Sequence, residues 1–176
     1  MNTSKAKLIN ALSALCALVI PTHDAWAEIL VAQTRTTPAI YGGSSYIVDF
    51  NGAAAGGEVF NFSTSEPNTR VVITFNAECA VATDAFHWLD IDIIVDPAGP
   101  TGEIAAPPSG SDNAFCSGNE TPSDFLSGSG GDGWVSAVTQ TTIVLATPGV
   151  HTVKVRVNGA HSGVARLDDM SLIVMR

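Results

Sequence analysis

Basic side chains are scarce in this chain: eight Lys and Arg stand against 17 Asp and Glu in 176 residues, a formal net charge of −9. Binding DNA, RNA or an anionic lipid surface needs clustered positive charge, so no nucleic-acid partner is expected. Cations and neutral polymers match this composition better. No segment keeps a helical period for three turns, and no internal repeat is visible. Patterns of the G-x-S-x-G, H-E-x-x-H, phosphate-loop and EF-hand types are missing as well, which removes the common sequence signatures of acyl-transfer, zinc-protease, nucleotide and calcium-loop chemistry. Cysteine is limited to Cys16, Cys79 and Cys116.

What is present begins with an export signal of bacterial type. Lys5 and Lys7 precede an apolar stretch of 13 residues from Leu8 to Ile20, followed by Pro21 and the small-residue pattern Ala25-Trp26-Ala27. A bilayer-spanning helix needs about 20 apolar residues, so this stretch is read as a cleaved signal and no transmembrane segment is expected in the mature chain. The expected division is a signal peptide over 1–27 and a single domain over 28–176, secreted or periplasmic. Leu15 is too large for the small residue that precedes a lipidated cysteine, which argues against an anchor on Cys16. The two remaining cysteines, Cys79 and Cys116, are read as a disulfide, because an even pair in an exported chain is most economically bridged. Two thiols with no C-x-x-C and no neighbouring histidine pair match no zinc spacing.

The mature region alternates apolar and polar residues in β-branched and aromatic segments divided by Gly, Pro, Asn and Asp clusters. Nine strands are predicted: 28–36, 44–50, 58–63, 70–81, 87–96, 133–139, 142–146, 151–157 and 167–175. In the segment from Arg70 to Val81, residues 71, 73, 75, 77, 79 and 81 share one face. In the next, Leu89, Ile91, Ile93 and Val95 do the same. The fold class expected is all-β, a two-sheet antiparallel sandwich of jelly-roll type. Residues 97–132 are rich in Pro, Gly and Ser and read as a long loop, its middle stapled by Cys116.

Pairing the two clearest strands as a hairpin around Thr83-Asp84-Ala85 sets Ala80 opposite Trp88, Glu78 opposite Asp90 and Asn76 opposite Asp92. Like charges directly opposed on a sheet are destabilising, so Glu78 facing Asp90 invites a cation, a shared proton or a hydrogen-bonding ligand. The bridge to Cys116 draws Asp112 toward the same end. Asn76, Glu78, Trp88, Asp90, Asp92 and Asp112 are therefore the candidate ligand-binding residues. The plainer alternative is a solvated face, or a bulge that separates the carboxylates. Calcium suits such oxygen-rich groups. A carboxylate pair also raises a glycosidase reading, in which Glu78 and Asp90 would be nucleophile and acid/base. His87 has the opposite parity from Asp90, while His151 and His161 fall at a strand start and in a turn, so all three read as structural or solvated.

The C-terminal run Arg166-Leu167-Asp168-Asp169-Met170-Ser171-Leu172-Ile173-Val174 follows a strand opened by Pro148-Gly149. Over roughly the last 30 residues this resembles the closing strands of galactose-binding-like jelly rolls, which include carbohydrate-binding modules. The resemblance implies a polysaccharide or surface glycan as partner and a structural calcium ion helped by Asp168, so the metal set becomes Asp168, Glu78 and Asp90. The expectation is thus an exported, non-catalytic, glycan-binding module. The alternatives are a surface or matrix structural subunit and a glycan-acting hydrolase.

Overall fold

The structure, a computed structural model, describes residues 27–42, 46–52, 57–82, 87–96, 104–106, 114–118, 134–158 and 164–176. The expected signal segment up to residue 26, the Thr83–Ala85 turn, Asp112 and His161 lie outside the described residues. Among the described residues eleven strands form: β1 (Ile29–Arg35), β2 (Ala39–Gly42), β3 (Tyr46–Ile47), β4 (Phe60–Thr64), β5 (Thr69–Ala82), β6 (His87–Val95), β7 (Ile104–Ala106), β8 (Ala114–Gly118), β9 (Val135–Leu145), β10 (Gly149–Asn158) and β11 (Val164–Met175). No helix occurs among the described residues.

The strands make two antiparallel sheets packed as a sandwich. The first, here sheet A, runs β1-β11-β5-β9, with β2 also on β11; sheet B runs β3-β10-β6-β7, with β4 also on β10 and β8 also on β6. Because β1 and β2 share one flank of β11, they act as one broken strand. The same holds for β3 and β4 on β10, and for β7 and β8 on β6. Numbered by these eight positions, the sheets read 1-8-3-6 and 2-7-4-5, which is the jelly-roll arrangement of two Greek keys.

This order corrects the expected hairpin. β5 pairs with β11 and β9, whereas β6 pairs with β10, β7 and β8. In a jelly roll the third and fourth positions belong to opposite sheets, so the chain after β5 crosses the sandwich instead of folding back beside it. The inward faces themselves follow the alternation: Val71, Ile73, Phe75, Ala77, Cys79 and Val81 from sheet A meet Leu89, Ile91, Ile93 and Val95 from sheet B in one core, joined by Val153, Val155 and Val157. Full burial of each such aliphatic or aromatic side chain stabilises by about 1.5 to 3 kcal/mol. Cys79 and Cys116 are bridged across this interior, from β5 to β8, with Cα atoms 6.3 Å apart.

Two further expectations change. The predicted loop over 97–132 carries β7 and β8, and the two strands expected over 133–146 are one, β9. Asp168 and Asp169, read as lying near the start of a strand, instead sit in the middle of β11. There Asp168 pairs with Glu78 and Ser171 with Asn76, so Asp169 and Met170 together oppose Ala77 in a β-bulge. Asp169 takes φ 45°, the left-handed region that aspartate tolerates better than most residues. Before the bulge Ala165 and Leu167 are buried; after it Met170, Leu172 and Val174 are. Without the extra residue, strict alternation would turn Asp169 and Ser171 into the core.

Candidate functional site

The bulge organises the outer face of sheet A. Outward residues line up across β11, β5 and β9: Asp168 lies opposite Glu78 and Glu78 opposite Ser136, while Asn76 lies opposite both Ser171 and Val138. A surface depression of about 310 Å³ opens here, lined by Asn76, Glu78, Ser136, Val138 and Asp169 among others. That is near the lower end of volumes that hold small ligands, about 300 to 1,000 Å³. Asp168 Oδ1 accepts the Asp169 backbone N–H at 2.9 Å, which fixes the Asp168 carboxylate against the bulge.

One row further along, Arg166 lies opposite Ala80. The alanine is small and 1% exposed, and Trp134 packs against it, so the Arg166 guanidinium reaches across β5 to lie 5.0 Å from the centre of the Trp134 ring. Such a cation–π contact contributes about 0.5 to 1 kcal/mol where solvent reaches it. Arg166 Nε is buried and has no hydrogen-bond partner among the described residues, although a buried donor left unmatched costs about 1 to 3 kcal/mol. Chemically the face offers the carboxylate acceptors of Glu78 and Asp169, the amide of Asn76 and the hydroxyl of Ser136, both of which donate and accept, and the 64%-exposed apolar surface of Val138.

The structure therefore divides the sequence-predicted residues. Asn76, Glu78 and Asp168 come together on the outer face of sheet A. Trp88, Asp90 and Asp92 sit on the outward side of β6 in sheet B, with the core between the two groups. The metal set of Asp168, Glu78 and Asp90 consequently does not form, and neither does the Glu78–Asp90 pair on which a glycosidase reading depended. Among the described residues no group of three His, Cys, Asp or Glu is placed to hold a metal ion. Asp92 is 6% exposed and is held by Arg156, whose Nη2 and Nε donate to its Oδ2 at 2.7 and 3.0 Å. Ile94, on the same side of β6, is fully buried, so this face is covered along part of its length.

Sequence reasoning missed Trp134, Ser136 and Arg166. Their spacing carries no motif; what unites them is the order β11-β5-β9, which is not local in sequence. It also undervalued His151, which shares the inward parity of Val153, Val155 and Val157 and is 5% exposed. A core imidazole must find partners. Its Nδ1 meets Asp96 Oδ2 at 2.6 Å, and its Nε2 lies 3.2 Å from Thr64 Oγ1 and 3.1 Å from the Thr147 carbonyl oxygen. The order hydroxyl, imidazole, carboxylate is that of a nucleophilic triad, but Thr64 is 4% exposed and Nε2 is shared with a carbonyl. Asp96 Oδ1 also accepts the Thr152 N–H at 2.8 Å. This network ties the ends of β4, β6 and β10 together and is structural.

The fold and the site together define a jelly-roll sandwich with an oxygen-rich depression on one outer face. No family model matches the chain, and no curated protein matches it. Among solved structures it is similar to dimeric latent PorU from Porphyromonas gingivalis, at 10% identity and a TM-score of 0.37. That match covers 86% of this chain and 14% of PorU, and the jelly-roll assignment rests on the strand order described above. No helix among the described residues is long and apolar enough to cross a membrane.

Proposed function

We propose that this domain is an exported, non-catalytic binding module of the galactose-binding-like kind, and that it takes a glycan on the outer face of sheet A. The observation that carries the reading is the gathering of Asn76, Glu78, Ser136 and Asp169 in one depression beside the Arg166–Trp134 pair. Carboxylates and an amide suit a ligand rich in hydroxyls, and Val138 offers a contact for the apolar side of a sugar ring. The closing strands that resemble sugar-binding jelly rolls include β11, which furnishes Arg166, Asp168 and Asp169.

Calcium enters the proposal in a reduced form. It takes six to eight oxygen ligands, and Glu78 with Asp168 supplies carboxylates from two adjacent strands. This donor set fits an ion shared with ligand oxygens and does not fit one caged by protein alone.

A glycan array probed with the wild type and with Glu78→Gln, Asn76→Ala and Trp88→Ala tests the reading, each in calcium and in chelator. Removing one hydrogen bond to a charged group corresponds to about a tenfold loss of affinity or more. Glu78→Gln and Asn76→Ala are expected to weaken binding on that scale, and Trp88→Ala, on the far sheet, to leave it unchanged. A folded wild type that retains no glycan overturns the proposal; binding indifferent to chelator removes calcium from it.

A further inference from the structure

We infer that the outer edge of β9, beside which no strand lies among the described residues, is a self-association edge, at which a second copy of this chain adds its own β9 in antiparallel register. A sheet edge presents unpaired backbone N–H and C=O groups, and proteins that stay monomeric guard such edges with charge, proline, bulges or short length. Three of the four edges here are guarded. The β1–β2 edge carries Arg35, Pro38 and a register irregularity between Ile29 and Val31. The edges of sheet B are made of strands of two and five residues on one side, and three and five on the other. β9 is different. It runs for 11 residues, Val-Ser-Ala-Val-Thr-Gln-Thr-Thr-Ile-Val-Leu, with no charge, proline or glycine, and among the described residues it pairs with β5 alone.

Charge selects the occupant. Two copies of a chain with net charge −9 repel, so contact is favoured where formal charge is missing, and residues 133–153 contain no Asp, Glu, Lys or Arg. A neutral strand also lacks the alternating charges that would select a different, complementary partner. Full overlap of β9 with its symmetry mate puts Gln140 on the two-fold axis. Val138 then stands beside Thr142 and Ser136 beside Val144, so exposed Val138 and Val144 gain cross-strand neighbours. The contact is isologous and closes on itself, joining two five-stranded sheets into one continuous sheet and giving a dimer instead of a filament. One strand is a narrow interface, so association is reversible and concentration-dependent.

Sedimentation equilibrium over a wide concentration range tests this, on the wild type and on Thr142→Lys/Val144→Lys. Both substituted positions are exposed, so thermal stability at concentrations below association serves as the control for folding. The expected result is a monomer–dimer equilibrium for the wild type and at least a tenfold weaker one for the variant, with thermal stability unchanged. Amide hydrogen exchange offers a measure that needs no substitution: β9 amides of the wild type should gain protection as concentration rises. A wild type that is monomeric throughout, a dimer indifferent to the two lysines, or β9 protection independent of concentration would each overturn the inference.

Discussion

At the scale of single residues, the buried polar groups decide most of what can be tested. Tyr41 is 8% exposed, and burial pushes its phenol above the ordinary value of 10, outweighing the lowering effects of the Asp49 backbone and the Arg35 guanidinium. A phenol raised in the folded state ionises first in the unfolded chain, so its contribution is complete below about pH 10 and is lost as pH rises through the folded value. Urea titrations between about pH 8 and 11 should show wild-type stability falling above about pH 10, and Tyr41→Phe losing that part of the fall. Arg156 and Asp92 make a second case. Their side chains are 25% and 9% exposed, so Arg156→Met removes the guanidinium that pairs with a buried carboxylate and is expected to cost about 3 kcal/mol. The double variant with Asp92→Asn should recover most of it, which a double-mutant cycle by chemical denaturation will measure. Neither partnership was legible in the sequence. Asp92 looked like one more acid in an alternating row, because the cation facing it lies 64 residues away.

Elements were more legible than their neighbours. The inward faces of β5 and β6 follow from period-two alternation over long runs, where a one-residue error would expose every large side chain at once. The sequence pattern divides β9 in two at Gln140-Thr141, although threonine is well suited to a strand. β7 and β8 were hidden by the Pro, Gly and Ser of their surroundings, and such short strands leave no periodic signal. The hairpin between β5 and β6 is the instructive error: they are the fourth and fifth predicted strands, which a jelly roll pairs, and only because β3 and β4 share one flank of β10 do they become the third and fourth positions, in opposite sheets. That crossing moves Glu78 away from Asp90 and sets it between Asp168 and Ser136. The bulge in β11 gives the sharpest test at this scale. Asp169→Gly should be tolerated, because glycine adopts φ 45° freely, whereas Asp169→Val is expected to cost about 1 to 2 kcal/mol, read from thermal or urea unfolding.

For the molecule as a whole, the Cys79–Cys116 bridge fastens one sheet to the other across a sequence separation of 37. In the chain-entropy model a loop of that size stabilises the fold by about 4 kcal/mol, so reduction should lower the urea midpoint accordingly, and intact mass should show no alkylatable thiol before reductant is added. The pairing of β1 with β11 has a mechanical consequence. Glu28 and Arg176 exchange backbone hydrogen bonds in both directions, at 2.8 and 3.0 Å, and their side chains form an ion pair. Residues 28 and 176 thus lie side by side at one corner of sheet A. Tension applied there pulls antiparallel neighbours apart perpendicular to their axes, along the direction of the ladder bonds, and loads those bonds one after another instead of together. The domain should therefore peel from β1 and β11 inward at low force when stretched by residues 28 and 176. In its oxidised form the extension should stop short by the length of chain between Cys79 and Cys116, a difference that single-molecule pulling with and without reductant reads directly.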